Sequence, residues 1–141
     1  MKIVVTSHGD FCHGLLESYG MIAGASEDIL AISLDDKGVD DFRNRLNSLL
    51  NELISDHEVL ILCDIKGGTP FNESFAFSLV NSEKVRIVSG MNLPMLIESG
   101  LLLLQSPTLD DLAQTALNAG SSSIELEEPL SIEEEDDDLG L

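Results

Sequence analysis

A histidine stands directly after the first apolar run of the sequence, within Ile3-Val4-Val5-Thr6-Ser7-His8-Gly9. Short runs of this kind are typical of buried strands in parallel sheets, and ligands of such sheets collect beyond the carboxyl ends of the strands. The imidazole of His8 is therefore placed where it could act as a nucleophile or a general base. A structural or surface role is nevertheless the commoner one for a lone histidine beside a strand.

A carboxylate and a glycine-rich turn follow the third apolar run, at Asp64 and at Gly67-Gly68-Thr69-Pro70. If the first and third strands are neighbours, Asp64 can reach the imidazole, fix its tautomer and leave the other ring nitrogen free to attack. The glycines permit positive φ or a close approach to a ligand, Thr69 suits a helix N-cap and Pro70 suits the first helical position. Free N–H groups at a helix start favour an anion. Considered alone, Asp64 fits a turn residue and the glycines fit an ordinary strand-to-helix turn.

The remaining polar candidates are weaker. His13 is expected at the surface or the rim of the site, and His57 at the surface. Lys66 could contact an anion or simply solvate its loop. Cys12 and His13 beside His8 match no strong metal-ligand spacing, so no metal site is expected.

Four strands are predicted at near-constant spacing, over residues 3–6, 29–34, 59–63 and 85–89. The segments between them carry apolar residues at helical spacing. Strands alternating with helices imply right-handed crossovers and a parallel sheet covered on both faces. The predicted fold class is α/β, a doubly wound four-stranded parallel sheet with strand order 2-1-3-4.

The C-terminal part continues this pattern with two helices and one isolated strand. Asn92 can cap a helix after the fourth strand, and residues 106–108 introduce a further helix over 109–119, which Gly120 is placed to close. The short candidate strand 123–126 has no neighbour in sequence. It could pair at a sheet edge of its own subunit or of a partner's.

The length and net charge of the chain limit the number of domains and the classes of binding partner. The chain has 141 residues, 43% of them apolar, which suits one domain with a sizeable core. Its net charge of −19 excludes direct binding to nucleic acid or to anionic membranes by repulsion. From Glu125 onward there are nine carboxylates and no cation, which predicts a domain over 1–126 and an acidic, disordered tail over 127–141.

Cysteine content and hydropathy point to the cytoplasm. Cys12 and Cys63 are too few for a disulfide scaffold, and Cys63 lies in an apolar run, so free buried thiols are expected. The N-terminus lacks the length and cleavage site of a signal peptide. No apolar run approaches the roughly 20 residues of a spanning helix.

Three motifs in this order resemble the mannose-family IIA proteins of the bacterial sugar phosphotransferase system. They are residues 3–9, Asp64 followed by Gly67-Gly68-Thr69-Pro70-Phe71-Asn72, and Ser89-Gly90-Met91-Asn92-Leu93-Pro94-Met95. The second string is highly specific, and the similarity runs over about residues 1–126. The tail is too short for a fused IIB domain, so a stand-alone IIA protein is expected.

The resemblance implies that the protein is a phosphotransferase with a phosphohistidine intermediate. The phosphocarrier HPr would phosphorylate His8 at the ring nitrogen far from the backbone, and a IIB component would receive the group. Asp64 would hold the near nitrogen, and Thr69 would bind the phosphoryl oxygens beside Gly67 and Gly68. The motifs contain four further residues expected to support the site: Ser7, Gly9, Asn72 and Asn92.

No cofactor is implied, and the membrane IIC and IID components would be indirect partners. The resemblance also implies a homodimer in which the strand over 123–126 crosses to the partner's sheet. The transported sugar stays open among mannose, fructose, sorbose, amino sugars and gluconate. Asp10 and Lys66 stand where other members often carry aromatic or small residues, which leaves partner contacts open there.

Three alternatives are retained. A receiver-like module would be phosphorylated on Asp64, but it needs an acidic pair after the first strand, where Ser7 and His8 stand. The phosphocarrier subunit of dihydroxyacetone kinase shares the histidine-bearing architecture but is not expected to carry the Gly-Gly-Thr-Pro-Phe-Asn string. A purely structural binding domain would not be phosphorylated at all.

Overall fold

Four parallel strands form one sheet in the order β2-β1-β3-β4. The strands are β1 (Lys2–His8), β2 (Ile29–Leu34), β3 (Val59–Cys63) and β4 (Val85–Ser89). The structure is a computed structural model that describes residues 1–130. It confirms the predicted α/β class, the four-stranded parallel sheet and the strand order.

Five helices cover the two faces of the sheet. They are α1 (Phe11–Ala23), α2 (Val39–Ile54), α3 (Gly68–Leu79), α4 (Leu93–Leu102) and α5 (Leu109–Ser122), with a 3₁₀ turn at Leu103–Gln105. Helices α1, α4 and α5 pack on one face, and α2 and α3 pack on the other. Each strand-to-strand connection therefore passes through a helix, as parallel pairing requires.

Alternation along β1 explains how one strand serves both faces. Ile3 and Val5 face the cluster beneath α1, α4 and α5, whereas Val4 faces the cluster beneath α2 and α3. The five residues of β3 are fully buried, which is typical of a central strand covered on both sides. Removing one such aliphatic side chain from water contributes about 1.5–3 kcal/mol, so the burial of β1 and β3 holds the two central strands in register.

The start of α4 confirms the predicted cap, whereas the end of α5 corrects a prediction. Asn92 Oδ1 accepts the Met95 N–H at 3.1 Å, as an N-cap does. Gly120 does not close α5, because the helix runs on to Ser122. A Cβ on Gly120 would lie 2.5 Å from Met95 Cε, so this glycine lets α4 and α5 approach each other.

The part of the C-terminal segment that the structure describes forms no strand within this single chain. Residues 124–130 are in neither a helix nor a strand, so pairing of 123–126 within its own subunit is not observed and pairing with a partner stays a prediction. The predicted disordered tail lies largely outside the described residues. None of the described helices is both long and apolar enough to cross a membrane.

A close contact between α1 and α4 gives a testable requirement for glycine. A Cβ on Gly100 would lie 2.6 Å from the Tyr19 hydroxyl and ring, whereas a Cβ on Gly14 would meet nothing within 4 Å. We expect Gly100→Ala to lower the free energy of unfolding by about 1–3 kcal/mol through overpacking. Gly14→Ala is the matched control and should raise it by up to about 1 kcal/mol, since alanine favours a helix. Urea denaturation measures both, and a Gly100→Ala protein as stable as the wild type would contradict the contact.

Candidate functional site

The carboxyl ends of the strands define the edge of the sheet at which the predicted site residues meet. We call it the site edge, and it is marked by the last residue of each strand: His8, Leu34, Cys63 and Ser89. His8 lies beside Leu34 in the β1–β2 register. The next residue, Gly9, has φ 61° and donates its N–H to the Leu34 carbonyl at 2.7 Å. This left-handed turn carries the chain into α1 and leaves His8 at the tip of its strand.

Asp64 holds His8 through two hydrogen bonds. Its Oδ2 accepts the backbone N–H of His8 at 3.0 Å and lies 2.8 Å from the imidazole Nδ1. Its Oδ1 accepts the N–H of Ile65 at 2.9 Å. The expected contact between Asp64 and the imidazole is therefore confirmed, and it depends on the adjacency of β1 and β3.

The carboxylate sets the tautomer of the ring. Burial by itself raises the pKa of Asp64, but the hydrogen bonds from the His8 backbone, the His8 ring and the Ile65 backbone outweigh it, so the pKa falls below its usual value. An ionised carboxylate only accepts hydrogen bonds, so Nδ1 must carry the proton. In the neutral ring, Nε2 then keeps its lone pair. The His8 side chain is 46% exposed and that of Asp64 13%, so the imidazole is accessible while the carboxylate that holds it is covered.

The start of α3 lies against the free nitrogen of this ring. Gly67 and Gly68 have φ 87° and 76°, values that L side chains rarely adopt. A Cβ built on Gly68 would lie 3.0 Å from His8 Nε2 and 2.9 Å from Cε1. Only glycine therefore permits this approach, and the start of α3 is within reach of any group bonded to Nε2.

The N-cap of α3 differs from the prediction. Gly67 is the N-cap and Gly68 the first helical residue, while Thr69 and Pro70 follow inside the first turn. The positive φ of the two glycines begins the helix earlier than the threonine and proline signals suggested. No side chain caps α3, so its first backbone N–H groups are available to an anion.

Ser7 has a role that the sequence analysis did not specify. Its Oγ accepts the N–H of Cys12 at 2.8 Å and donates to the Gly9 carbonyl at 2.9 Å. Asp10, at the N-cap position of α1, makes no such cap bond. Ser7 therefore joins the end of β1 to the start of α1 and braces the turn that carries His8. Its distance of five residues from Cys12 hides this role from a search for local capping motifs.

The other supporting residues lie away from the imidazole. Asn72 is exposed on α3, and no hydrogen bond joins it to His8 or Asp64 within residues 1–130. Asn92 caps α4 and donates from Nδ2 to the Gly120 carbonyl at 3.1 Å. Asn92 therefore connects α4 to α5 and makes no hydrogen bond to the imidazole of His8 within residues 1–130.

His13 and the two cysteines match what their sequence context predicts, whereas His57, expected at the surface, is half-buried. His13 is exposed, with Nε2 3.3 Å from Ser33 Oγ. Both thiols are free and buried, and burial raises the pKa of Cys12 and raises that of Cys63 to about 12. They therefore stay protonated and poorly nucleophilic. In the described part of the chain, no three His, Cys, Asp or Glu side chains cluster as metal ligands would.

This chain is similar to known proteins over most of its length. The family model EIIA-man, described as the PTS system fructose IIA component, matches residues 2–117. The fructose-specific EIIA component of Bacillus subtilis is 33% identical over 99 residues, which cover 70% of this chain and 67% of that protein. The mannose-specific EIIAB component of Escherichia coli K12 is 28% identical over 88% of this chain, but the match spans only 38% of its length.

A solved structure extends the match to three dimensions. The phosphotransferase system component EIIA from Streptococcus agalactiae superposes with a TM-score of 0.77 at 35% identity, covering 88% of this chain and 95% of that one. The resemblance seen in the three sequence motifs is thereby confirmed. With its family model covering most of the chain, this protein belongs to the EIIA-man family of sugar phosphotransferase system components.

Proposed function

We propose that this protein is a cytoplasmic phosphocarrier that accepts a phosphoryl group from phospho-HPr on Nε2 of His8 and passes it to a IIB component. The observation that carries the proposal is the pairing of Nδ1 with Asp64 while Nε2 faces the start of α3. A histidine held in this way has a fixed tautomer and an accessible lone pair. Membership of the family supports sugar phosphotransfer as the general activity. The role of His8 and the two partners are part of the proposal.

The transfer needs only a nucleophile and a place for charge. The Nε2 lone pair forms the new N–P bond, while the electrons of the donor's P–N bond remain with the donor nitrogen. The ring gains positive charge as the bond forms, and the Asp64 carboxylate at Nδ1 offsets it. Nδ1 keeps its proton throughout. Because phosphoryl transfer depends mainly on positioning and electrostatic stabilisation, this arrangement is sufficient without an acid–base step at phosphorus.

The phosphoryl oxygens are assigned to the first turn of α3. The approach of Gly68 to Nε2 supports assigning the backbone N–H groups of Gly68 and Thr69, and the Thr69 hydroxyl, to the incoming group. Backbone donors and the positive end of the helix both favour an anion there. Gly67 contributes by bending the chain so that this helix starts at the imidazole.

The sugar is left open within the mannose family. Similar proteins carry names that include fructose, mannose and mannose/sorbose, and amino sugars and gluconate also remain candidates. Selectivity is assigned mainly to the IIC and IID membrane components, which this protein would meet only through IIB.

Asp64 is a poor alternative acceptor. Its Oδ2 binds two groups of His8 and its Oδ1 binds the Ile65 N–H, so attack by this carboxylate would break the contacts that orient the histidine. A phosphorylated Asp64 would carry an acyl phosphate that is labile in base, whereas phosphohistidine is labile in acid and stable in base. The dihydroxyacetone kinase pathway would instead be distinguished by its donor and acceptor proteins.

A variant series tests the acceptor. After incubation with phosphoenolpyruvate, enzyme I and HPr, we expect the wild type to carry one acid-labile, base-stable phosphate. His8→Ala removes the attacking nitrogen and should abolish the label. His13→Ala is the matched control and should keep it, because that ring contacts Ser33 rather than the site. Full labelling of the His8→Ala protein would refute the assignment.

Asp64→Asn tests the anchor. Since a hydrogen bond to a charged group contributes about 1.5–3 kcal/mol, its loss should slow labelling about 10- to 100-fold. The effect on stability depends on pH. The pKa of Asp64 is lower in the folded protein than in the unfolded chain, so the ionised carboxylate stabilises the fold at pH values above its unfolded pKa of about 3.9. This stabilisation is lost as the pH falls through the folded pKa. Urea denaturation should therefore show the wild type's advantage over Asp64→Asn shrinking below about pH 4. An advantage that grows on acidification would contradict the ionised anchor.

We also propose a homodimer, which the resemblance to mannose-family IIA proteins implies. The exposed apolar side chains Ile124 and Leu126 are 79% and 88% accessible in the single chain, and β4 is an edge strand with an open side. We expect sedimentation equilibrium to give twice the monomer mass for the full chain and the monomer mass after deletion of residues 123–141. A full chain that stays monomeric at high micromolar concentration would exclude the exchange of this segment.

A further inference from the structure

The loops on either side of β1 are built alike. The β2–α2 loop is Asp35-Asp36-Lys37-Gly38, and the β3–α3 loop is Asp64-Ile65-Lys66-Gly67. Both glycines are helix N-caps in the same conformation, with φ 94° and ψ −179° in the first and φ 87° and ψ 173° in the second. Because β2 and β3 are the two neighbours of β1, the two lysines occupy equivalent positions in loops on either side of the strand that ends at His8.

These lysines differ from the other cations of the protein. Of the seven lysines and arginines, Lys2, Arg43, Arg45 and Arg86 form ion pairs, and Lys84 donates to the Ile54 carbonyl. Within residues 1–130, the exposed side chains of Lys37 and Lys66 make no ion pair or hydrogen bond. Two uncommitted positive charges therefore flank the nucleophile of a chain whose net charge is −19.

Most charged side chains in the loops around His8 are acidic, so a phosphoryl group on His8 would be repelled by them. Three exposed carboxylates, Asp10, Asp35 and Asp36, lie in the loops at the site edge in addition to the ionised Asp64. Asp35 is the one among these three that an ion pair within residues 1–130 partly offsets, with Arg45 Nη2 at 3.8 Å. A phosphate monoester adds about −1.5 to −2 charges near neutral pH, so each carboxylate opposes its dianion. The start of α3 offers partial charges, but within residues 1–130 the site-edge loops carry full positive charges only at Lys37 and Lys66.

We propose that Lys37 and Lys66 are phosphoryl-binding residues, which approach the group on Nε2 from the β2 and β3 sides once it is attached. The inference rests on the proposed phosphorylation of His8 and adds to it two side-chain contacts. A lysine suits this task because its ammonium group is a mobile point charge on a flexible four-carbon stem. Lys66 also borders the groove between α3 and β4, and it would leave that position when the phosphoryl group is present.

The phosphoryl group itself can report the two charges. We would phosphorylate the wild type, Lys37→Gln, Lys66→Gln and the double variant with phospho-HPr or with phosphoramidate, and follow the second phosphoryl ionisation by ³¹P NMR. Nearby cations favour the dianion, so the titration midpoint should rise by at least about 0.5 pH unit in the double variant, a threefold change in the ionisation constant. The equilibrium constant for phosphoryl transfer from phospho-HPr, measured at low salt, should fall about 3- to 10-fold.

Lys84→Gln is the matched control for net charge. It removes one positive charge, as each single test variant does, from the residue before β4. This residue lies at the amino-terminal ends of the strands, away from the site edge, so the midpoint of the phosphoryl titration should be unchanged. Equal midpoints in the wild type and the double variant, or an equal shift in Lys84→Gln, would overturn the proposal.

A partner-free measurement separates this inference from the proposed function. If the wild type accepts no phosphoryl group from either donor, the proposed function fails. Binding of inorganic phosphate, followed through the His8 and Gly68 NMR signals, then decides the role of the lysines. We expect at least about threefold weaker binding in the double variant at low salt, and equal binding in both proteins would overturn it.

Discussion

The hydrogen bond between Nδ1 of His8 and Oδ2 of Asp64 is the interaction on which the site depends. It orients the ring and, because the acceptor is ionised, assigns the proton to Nδ1 and the lone pair to Nε2. The order of the strands makes this hydrogen bond possible. Pairing of β1 with β3 sets Cys63 beside Thr6, so that the next residue, Asp64, reaches His8. The buried side chains of both strands hold this register.

The surrounding contacts limit movement of this pair. Ser7 braces the turn after His8, and the Ile65 N–H holds the second oxygen of Asp64. The Met91 N–H donates to the Cys63 carbonyl at 3.0 Å, so the exit of β4 supports the residue that precedes Asp64. Phosphoryl transfer gains most from groups that need no rearrangement, and in the proposed function the imidazole, the carboxylate that holds it and the start of α3 already meet that condition.

Much of this architecture was predictable because its signals are local and periodic. Four apolar runs separated by helical patterns gave the strands and the class of fold, and the motif around Asp64 gave its partner once the strand order was assumed. The failures have physical causes. Gly120 fits a helix C-cap by residue type, but its contact with Met95 is tertiary. Thr69 fits an N-cap, but two positive-φ glycines start the helix before it. The hydrogen bonds of Ser7 join the end of β1 to the start of α1, a contact that no local sequence pattern encodes.

The anchor of the imidazole lies 56 residues along the chain from it. The pair therefore cannot form until β1, its crossovers and β3 have assembled, and contacts between residues so distant in sequence form late because closing the intervening loop costs entropy. During synthesis, a chain that has emerged only as far as β2 has a histidine with neither its carboxylate nor its helix start. Any activity that depends on this pair must therefore wait until the central sheet is complete.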